Sequence, residues 1–317
     1  MKLSLINFTK QIEKINYFEK NAKIAVGVSG GVDSITLAHL LSKTKKLDTT
    51  ALIVDHKYRP ESYTESRKVT NYLSKMKIKS KILTLKKQQA LTAIQKNLRA
   101  ARLKILEDYC KENNIIHLFL GHHYDDNIET FVLRKLAGSS IEGLNSIKEI
   151  TIFNNIQILR PLLTYTKTEI INYAKTNRLF WIDDPSNKNI NFSRTKIRSV
   201  IASAYNEKKI INKEYKNLNN LYLSYLRMIN SYLSIIILKT SHISIELDKK
   251  IFLNLPVEIA TKILSISIIY LHGKNFRFKH KKLKNVYNQI KSKNMICRSQ
   301  NTYFTSLAEK ITISAAK

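Results

Sequence analysis

The chain has 317 residues, 44% hydrophobic and 25% charged, and its 54 Lys+Arg against 24 Asp+Glu give a formal net charge of +30. That length and apolar share suit one large or two medium folded domains and exclude a disordered tail or a disulfide-stapled miniprotein. So large a positive charge repels itself and points to a polyanionic partner such as nucleic acid, a membrane surface or a phosphorylated ligand, although a Lys-, Asn- and Ile-rich composition also raises lysine everywhere.

In chain order, the short apolar runs Lys23–Val28, Thr50–Asp55, Lys81–Leu85 and Ile115–Leu120 read as strands. Between them Asp33–Lys43, Glu65–Met76 and Ile94–Asn113 carry apolar residues at helical spacing. This alternation predicts an α/β fold: a parallel sheet with helices on both faces and a ligand site at the carboxyl ends of its strands. After Arg160-Pro161, Thr166 caps a further helix together with Glu169, the two halves of a capping box. Trp181–Asn191 is rich in turn formers and reads as an ordered loop. Beyond about Arg194 the pattern turns mostly helical: one or two long helices over Ile197–Leu238, helices at Val257–Leu271 and His280–Ile290, then short strands within Met295–Ser314. The organisation expected is an α/β domain over residues 1–205 and a basic, mainly helical C-terminal domain over 206–317 that ends in short strands. Residues 216–317 hold 17 Lys+Arg against the four acids Glu246, Asp248, Glu258 and Glu309, a net of +13, so the excess is denser at this end.

Cys110 and Cys297 lie far apart with no Cys-x-x-Cys pair, which excludes a zinc ribbon, a redox dithiol and a disulfide framework. Met1 to Phe18 lacks the continuous apolar region of a signal peptide, and no stretch approaches the roughly 18 apolar residues of a membrane span. A cytoplasmic protein without a membrane partner is expected.

The sharpest motif is Ser29-Gly30-Gly31-Val32-Asp33-Ser34, directly after the first strand and opening the first helix. Two glycines let the backbone turn steeply, and the exposed N–H groups and positive end of the helix favour phosphate oxygens. Ser29 and Ser34 add hydroxyls, and Asp33 supplies a hard oxygen for the magnesium ion (Mg2+) that accompanies ATP. The loop is neither a Walker A loop nor a dinucleotide fingerprint.

Asp55-His56 closes the second strand at the end where a nucleotide pocket belongs, and Arg99 and Arg102 in LRAAR stand three apart on one helix face. Guanidinium forks suit phosphate oxygens. In Gly121-His122-His123-Tyr124-Asp125-Asp126-Asn127-Ile128-Glu129-Thr130, a helix would bring His122, Asp126 and Glu129 onto one stripe. A metal site, a solvated helix start and a pocket for a cationic substrate all fit that cluster. Lys274 to Lys284 (KNFRFKHKKLK) interleaves cations with aromatics, which suits RNA phosphates plus base stacking, or a solvated helix face with two core phenylalanines.

SGGVDS resembles the loop of the N-type ATP pyrophosphatases, the PP-loop superfamily of adenine nucleotide α-hydrolase type with a Rossmann-like sheet. SGGVDS, VDHKYRPES, LRAAR, GHHYDDNIET, RPLL with Lys167 and Glu169, and DDPSNKNINFSRTKIR occur in the order and spacing of the tRNA(Ile)-lysidine synthase family. The likeness is close over residues 20 to 200 and looser beyond. It implies an ATP-dependent ligase that adenylates C2 of the wobble cytidine in tRNA(Ile) with a CAU anticodon. The side-chain amine of free L-lysine then displaces AMP, and ATP ends as AMP and pyrophosphate.

By the same resemblance Ser29, Gly30, Gly31, Val32, Asp33, Ser34, Asp55 and His56 bind ATP, with Asp33 on its magnesium. Arg102, His122 and Arg194 steady phosphate and developing charge, with Arg198 a weaker candidate. Asp126 and Glu129 hold the lysine, Asp126 taking a proton from its amine. Independently of the resemblance, the basic run assigns tRNA binding to Lys279, Lys281, Lys282 and Lys284; a monomer or homodimer is expected. Lys57-Tyr58 replaces the family's usual Gly-Leu, Asn127-Ile128 its Gln-Ala, and Ala137 an arginine before Gly138-Ser139. The C-terminal region is also shorter than in longer members. The rival readings are a tRNA thiolase, which needs a persulfide-carrying cysteine, a small-molecule amide synthetase, and a non-catalytic RNA-binding protein.

Overall fold

The computed structural model describes residues 2–15, 18–19, 21–44, 47–57, 61–85, 95–145, 147–182, 205–273, 276, 278–292 and 295–316. They form two compact units, Met1–Leu218 and Asn219–Lys317.

The first unit is built on a six-stranded sheet of β1 (Ala22–Val28), β2 (Leu47–Asp55), β3 (Lys79–Thr84), β4 (His117–Leu120), β5 (Ile150–Phe153) and β6 (Ile156–Leu159), in the order β3-β2-β1-β4-β6-β5. All neighbours are parallel except the hairpin pair β5 and β6. Helices α1 (Leu5–Ile15), α2 (Val32–Lys43), α3 (Ser62–Lys75), α4 (Gln95–Glu112), α5 (Tyr124–Leu136), α6 (Ile141–Leu144) and α7 (Lys167–Thr176) accompany it. β1 explains why the strands read as apolar runs: it is central, and Ile24, Ala25 and Val26 are all fully buried because both faces are covered. One face packs Val26, Leu37, Leu40, Phe119, Tyr165 and Ile170 together; the other packs Ala25, Leu106, Cys110, Leu118 and Ile158. Each such aliphatic or aromatic side chain contributes about 1.5–3 kcal/mol by leaving water.

The four expected strands and three expected helices are present with ends shifted by a few residues. The β5–β6 hairpin was not anticipated. Its two-residue turn, Asn154-Asn155, holds Asn154 at φ +46° and ties it through Nδ2 to Glu107 Oε1 at 2.7 Å.

Helix α8 (Tyr205–Ile236) is one continuous helix. Its early turns belong to the first unit, because Tyr215 packs edge-on against Phe131 at 5.6 Å and Tyr124 at 6.0 Å. The units therefore divide at 218/219, whereas the pattern alone places the break at 205/206. In the second unit, helices α9 (Lys249–Leu253), α10 (Val257–His272) and α11 (His280–Lys291) accompany an antiparallel sheet of β7 (Ile237–Thr240), β8 (Ser244–Asp248), β9 (Met295–Ser299), β10 (Thr302–Leu307) and β11 (Lys310–Ala315). Its core includes Leu247, Phe252, Ile263, Leu264, Phe304 and Ile313. The terminal strands were expected; β7 and β8 were not, since the apolar run through Leu238 reads as one helix. The helix stops at Ile236, and a turn follows in which the Ser241 hydroxyl accepts from the Ser244 amide at 3.0 Å. Among the described residues no helix is long and apolar enough to cross a membrane.

His39, on α2, sits with Nδ1 at 3.2 Å from the Tyr173 hydroxyl. Burial first, and Lys43 second, hold its pKa below the ordinary 6.5. A depressed histidine contributes stability that is present above pH 6.5 and lost as pH falls through the folded value. His39→Gln should therefore shrink the loss of stability between about pH 7 and pH 5, read by urea unfolding. An unchanged pH dependence would contradict this.

Candidate active site

The candidate residues gather at the carboxyl ends of β1, β2, β4 and β6, where a doubly covered parallel sheet leaves room for a ligand. The loop after β1 is shaped by Gly30, whose φ is +87° and where a Cβ would come within 2.8 Å of Val69 Cγ2. Conformation and space both require glycine there. Ser34 Oγ accepts from the Ser29 amide at 3.1 Å and donates to the Gly31 carbonyl at 2.9 Å. The Ser34 hydroxyl thus braces the loop from inside. The Ile182 amide closes on the Gly30 carbonyl at 2.9 Å. A Cβ on Gly121 would meet the Asp33 carbonyl carbon and the Ser34 amide nitrogen at 3.2 Å, so the loop after β4 lies against the loop after β1.

Between these loops lies a cluster of three carboxylates and two basic groups. Lys167 Nζ stands 2.7 Å from both carboxylate oxygens of Asp33. The buried His123 ring has Nε2 at 3.9 Å from Asp33 Oδ2 and 3.7 Å from Asp126 Oδ2, and Nδ1 at 3.6 Å from Asp125 Oδ2. Burial alone would lower the pKa of His123, but the nearby carboxylates of Asp125, Asp126 and Asp33 outweigh it, with Lys167 opposing them, and the net shift is upward. His123 therefore favours the imidazolium more than an ordinary histidine does.

Helix α5 begins at Tyr124, with His123 as its N-cap. His122 thus precedes the helix, and the expected stripe of His122, Asp126 and Glu129 does not form; only Asp126 and Glu129, at i and i+3, share the helix face. Asp126 Oδ2 accepts from the His123 amide at 2.9 Å, which fixes the first turn. Glu129 is buried on the same helix. His122 instead has Nε2 at 3.0 Å from Arg99 Nη2. A guanidinium only donates, so His122 Nε2 is the acceptor. Arg102 lies close enough to Arg99 that burial first, then Arg99, lowers its pKa. Arg160, after β6, is brought down to about 10 by burial and then by Arg99. Arg99, Arg102 and Arg160 thus gather here, an electropositive end of the sheet suited to anions.

Asp55 ends β2 buried, its Oδ1 accepting from the Lys57 amide at 3.0 Å and the Ser62 hydroxyl at 2.6 Å, while its buried Oδ2 has no hydrogen-bond partner among the described residues. Lys57, at the family's usual glycine position, has φ +50°, and its bond to Asp55 stabilises that left-handed backbone. His56 follows at the same rim, half-buried. Asn127, the replacement for glutamine, is buried and accepts from the Ile147 amide at 2.8 Å. Arg194 and Arg198 lie outside the described residues, as does most of the Trp181–Asn191 loop.

The donor set bears on a metal. Among the described residues no group of three or more His, Cys, Asp or Glu is arranged to hold an ion. Asp33 offers a hard carboxylate, which fits a magnesium ion carried largely by phosphate oxygens rather than by an all-protein cage. In the second unit Lys279, Lys281, Lys282 and Lys284 are all exposed. Of the two readings of this run, the neighbours favour the solvated face with core phenylalanines: Phe278 is buried against Phe304 at 6.3 Å, and Phe276 stacks on His272 at 4.4 Å. A cavity of about 380 Å³ lined by His39, Lys43, Lys75, Lys77 and Asn177 lies at the C-terminal ends of α2, α3 and α7, away from every residue of the site.

The sequence singles out Asp33, Asp126, Glu129, His122 and Arg102, with Arg99 beside Arg102 as a second guanidinium, but gives no role to His123, Lys167 or Arg160. His123 is the N-cap beside two acids, a signal present in the sequence. The reach of Lys167 to Asp33, across 134 residues, is visible only in three dimensions.

Comparison places these features among known proteins. Residues 4–204 match the PP-loop domain family. The tRNA(Ile)-lysidine synthase of Wolbachia pipientis wMel is 36% identical over 303 residues, covering 92% of this chain and 70% of its own length. That of the Wolbachia of Brugia malayi (strain TRS) is 34% identical over 283 residues, covering 86% and 65%. That of Orientia tsutsugamushi (strain Boryong) is 36% identical over 201 residues, covering 62% and 45%. The chain thus spans between 45% and 70% of the length of these relatives. Among solved structures, a U34-tRNA thiolase of Methanococcus maripaludis superposes with a TM-score of 0.53 at 19% identity, covering 68% of this chain and 78% of its own, a likeness of fold.

Proposed function

The chain belongs to the tRNA(Ile)-lysidine synthase family within the PP-loop domain proteins, and on that premise we propose that it joins free L-lysine to the wobble cytidine of tRNA(Ile) with a CAU anticodon at the expense of ATP. One observation carries the reading: the Ser29–Ser34 loop and the Asp126–Glu129 helix face are brought together at one end of one sheet, the first suited to phosphate and the second to a cation. Adenylation and amine attack need those two chemistries side by side.

In this reading the backbone N–H groups of residues 29–34 and the start of α2 receive the ATP phosphates, with Asp55 and His56 at the rim of the nucleotide site. Asp33 is the carboxylate toward magnesium, which when bound neutralises phosphate charge. Arg102, His122 and Arg194 stabilise the negative charge that develops as the cytidine oxygen attacks the α-phosphate and pyrophosphate leaves. Glu129 and Asp126 hold the lysine. Its ammonium, with a pKa of about 10.4, is almost wholly protonated near neutral pH and cannot attack. Asp126 takes the proton, the amine bonds to C2, and AMP departs. The reaction belongs in the cytoplasm, where tRNA, ATP and lysine meet.

The fate of ATP tests the reading. With unmodified tRNA(Ile) and lysine, ATP should yield AMP and pyrophosphate, and omission of the tRNA should stop the reaction; ADP and phosphate, or turnover indifferent to tRNA, would overturn it. We assign the tRNA body to the basic second unit. Replacing Lys279, Lys281, Lys282 and Lys284 with glutamine should weaken tRNA binding and flatten its salt dependence by up to about 0.9 per lost phosphate contact on a duplex. An unchanged slope would return these lysines to the solvated surface.

A further inference from the structure

Lys167, to which the reading above gives no role, reaches the nucleotide loop from a distant part of the chain and grips it at Asp33. Its backbone is fixed from both sides: Glu169 Oε2 accepts from the Thr166 amide and hydroxyl, each at 2.9 Å, and the Lys167 amide donates to Asp125 Oδ2 at 2.7 Å. The neighbouring Tyr165 carbonyl accepts from the Tyr124 amide at 2.9 Å. Only the side chain can move. It is partly open to solvent, at 38% exposure against 26% for Asp33, and its ammonium contacts both Asp33 oxygens at 2.7 Å.

A divalent cation on the same carboxylate would stand within a few ångström of that ammonium, and like charges at this spacing in a half-buried site repel strongly. The His123 ring, 3.9 Å from Asp33, is buried beside Asp125 and Asp126 and has less room to yield than the half-open Lys167 side chain. The ammonium must yield, and its fixed backbone keeps it beside the Ser29–Ser34 loop.

We propose that Lys167 is a phosphate-binding residue of this site and that its pair with Asp33 opens when magnesium–ATP binds, Asp33 turning to the cation and Lys167 to a phosphate oxygen. The proposal rests on the reading that residues 29–34 take ATP. It differs from a brace between α7 and the loop in one respect: Lys167 then opposes a bare cation at Asp33 but favours the nucleotide.

The test uses the full chain without tRNA, so nothing turns over. Magnesium–ATP affinity is measured at equilibrium, and bare manganese(II) binding is followed by electron paramagnetic resonance. Lys167→Gln should lose about tenfold in ATP affinity, the scale of one charge-assisted hydrogen bond, and gain affinity for bare manganese. Opposite signs from one substitution are the signature. An ATP affinity within about twofold of the unaltered chain, or manganese binding that does not strengthen, overturns the proposal. If Lys167→Gln does not fold, Lys167→Arg, which keeps the cation, should retain most ATP affinity and bind manganese as weakly as the unaltered chain; stronger manganese binding overturns it. Failure of the unaltered chain to bind ATP would instead sink the reading of the loop.

Discussion

Asp126→Asn should cut lysine transfer by roughly a thousandfold, within the range of a lost general base, while tRNA affinity stays within about twofold. Asparagine keeps a side-chain carbonyl at the position of Asp126 Oδ2, so the bond from the His123 amide that fixes the first turn of α5 can persist. What disappears is the negative charge and the capacity to take a proton from an ammonium. The same charge helps to raise the pKa of His123, so the variant should also titrate His123 at a lower value, visible by NMR. A melting temperature near that of the unaltered chain, with transfer lost, supports the assignment. Loss of tRNA binding together with activity would place Asp126 in the RNA interface or the scaffold.

Gly30→Val should abolish ATP binding and lower stability by about 2–3 kcal/mol. Gly30 has φ +87°, which a β-branched residue rarely adopts, and its first added carbon would meet Val69 Cγ2 at 2.8 Å. The loop must move either way. Moving it disturbs the Ile182 amide on the Gly30 carbonyl and the Ser34 brace on Gly31. The neighbouring glycine supplies the contrast: a Cβ on Gly31 finds only the Ser29 hydroxyl at 3.6 Å, and φ at that position is −72°. Gly31→Ala should therefore cost well under half as much in urea unfolding. Equal losses at the two positions would contradict the geometric account.

The two glycines show how the sequence was legible. SGGVDS after an apolar run announces a steep strand-to-helix turn, and alternation of period-two and period-3.6 segments announces the sheet, because local physics determines both. The Thr166–Glu169 capping box is local too, and the structure contains it. The omissions are of another kind. The β5–β6 hairpin hides in ITIFNNIQIL, where an Asn-Asn turn is a weaker signal than Asn-Gly and the strands are only four residues each. β7 was missed because Ser231–Leu238 is apolar at both periods, and only packing decides that the helix stops at Ile236; β8, only five residues long, pairs with it after a short turn.

At the site, residue types were readable and partners were not. His122 was counted as helical because one cannot see from spacing that the helix waits for Tyr124. Lys167 and Asp33 are 134 residues apart, and no local rule pairs them. The alternation of Phe276 and Phe278 with cations fits a stacking platform and a pair of core aromatics equally well, and only packing decides: Phe278 is buried against Phe304 and Phe276 is partly buried, stacked on His272. The excess charge thereby separates: arginines gather at the carboxyl end of the first unit's sheet, and lysines stand exposed at the start of α11 in the second unit.

The central claim is that one end of this sheet joins lysine to a cytidine. Mass spectrometry of the anticodon fragment, after incubation of CAU-bearing tRNA(Ile) with the full chain, ATP, magnesium and isotope-labelled lysine, tests it most directly. The predicted result is a wobble cytidine that has gained one labelled lysine with loss of water. A wobble cytidine that stays unmodified while the chain binds both ATP and tRNA, or that gains sulfur or ammonia in place of lysine, would contradict the account.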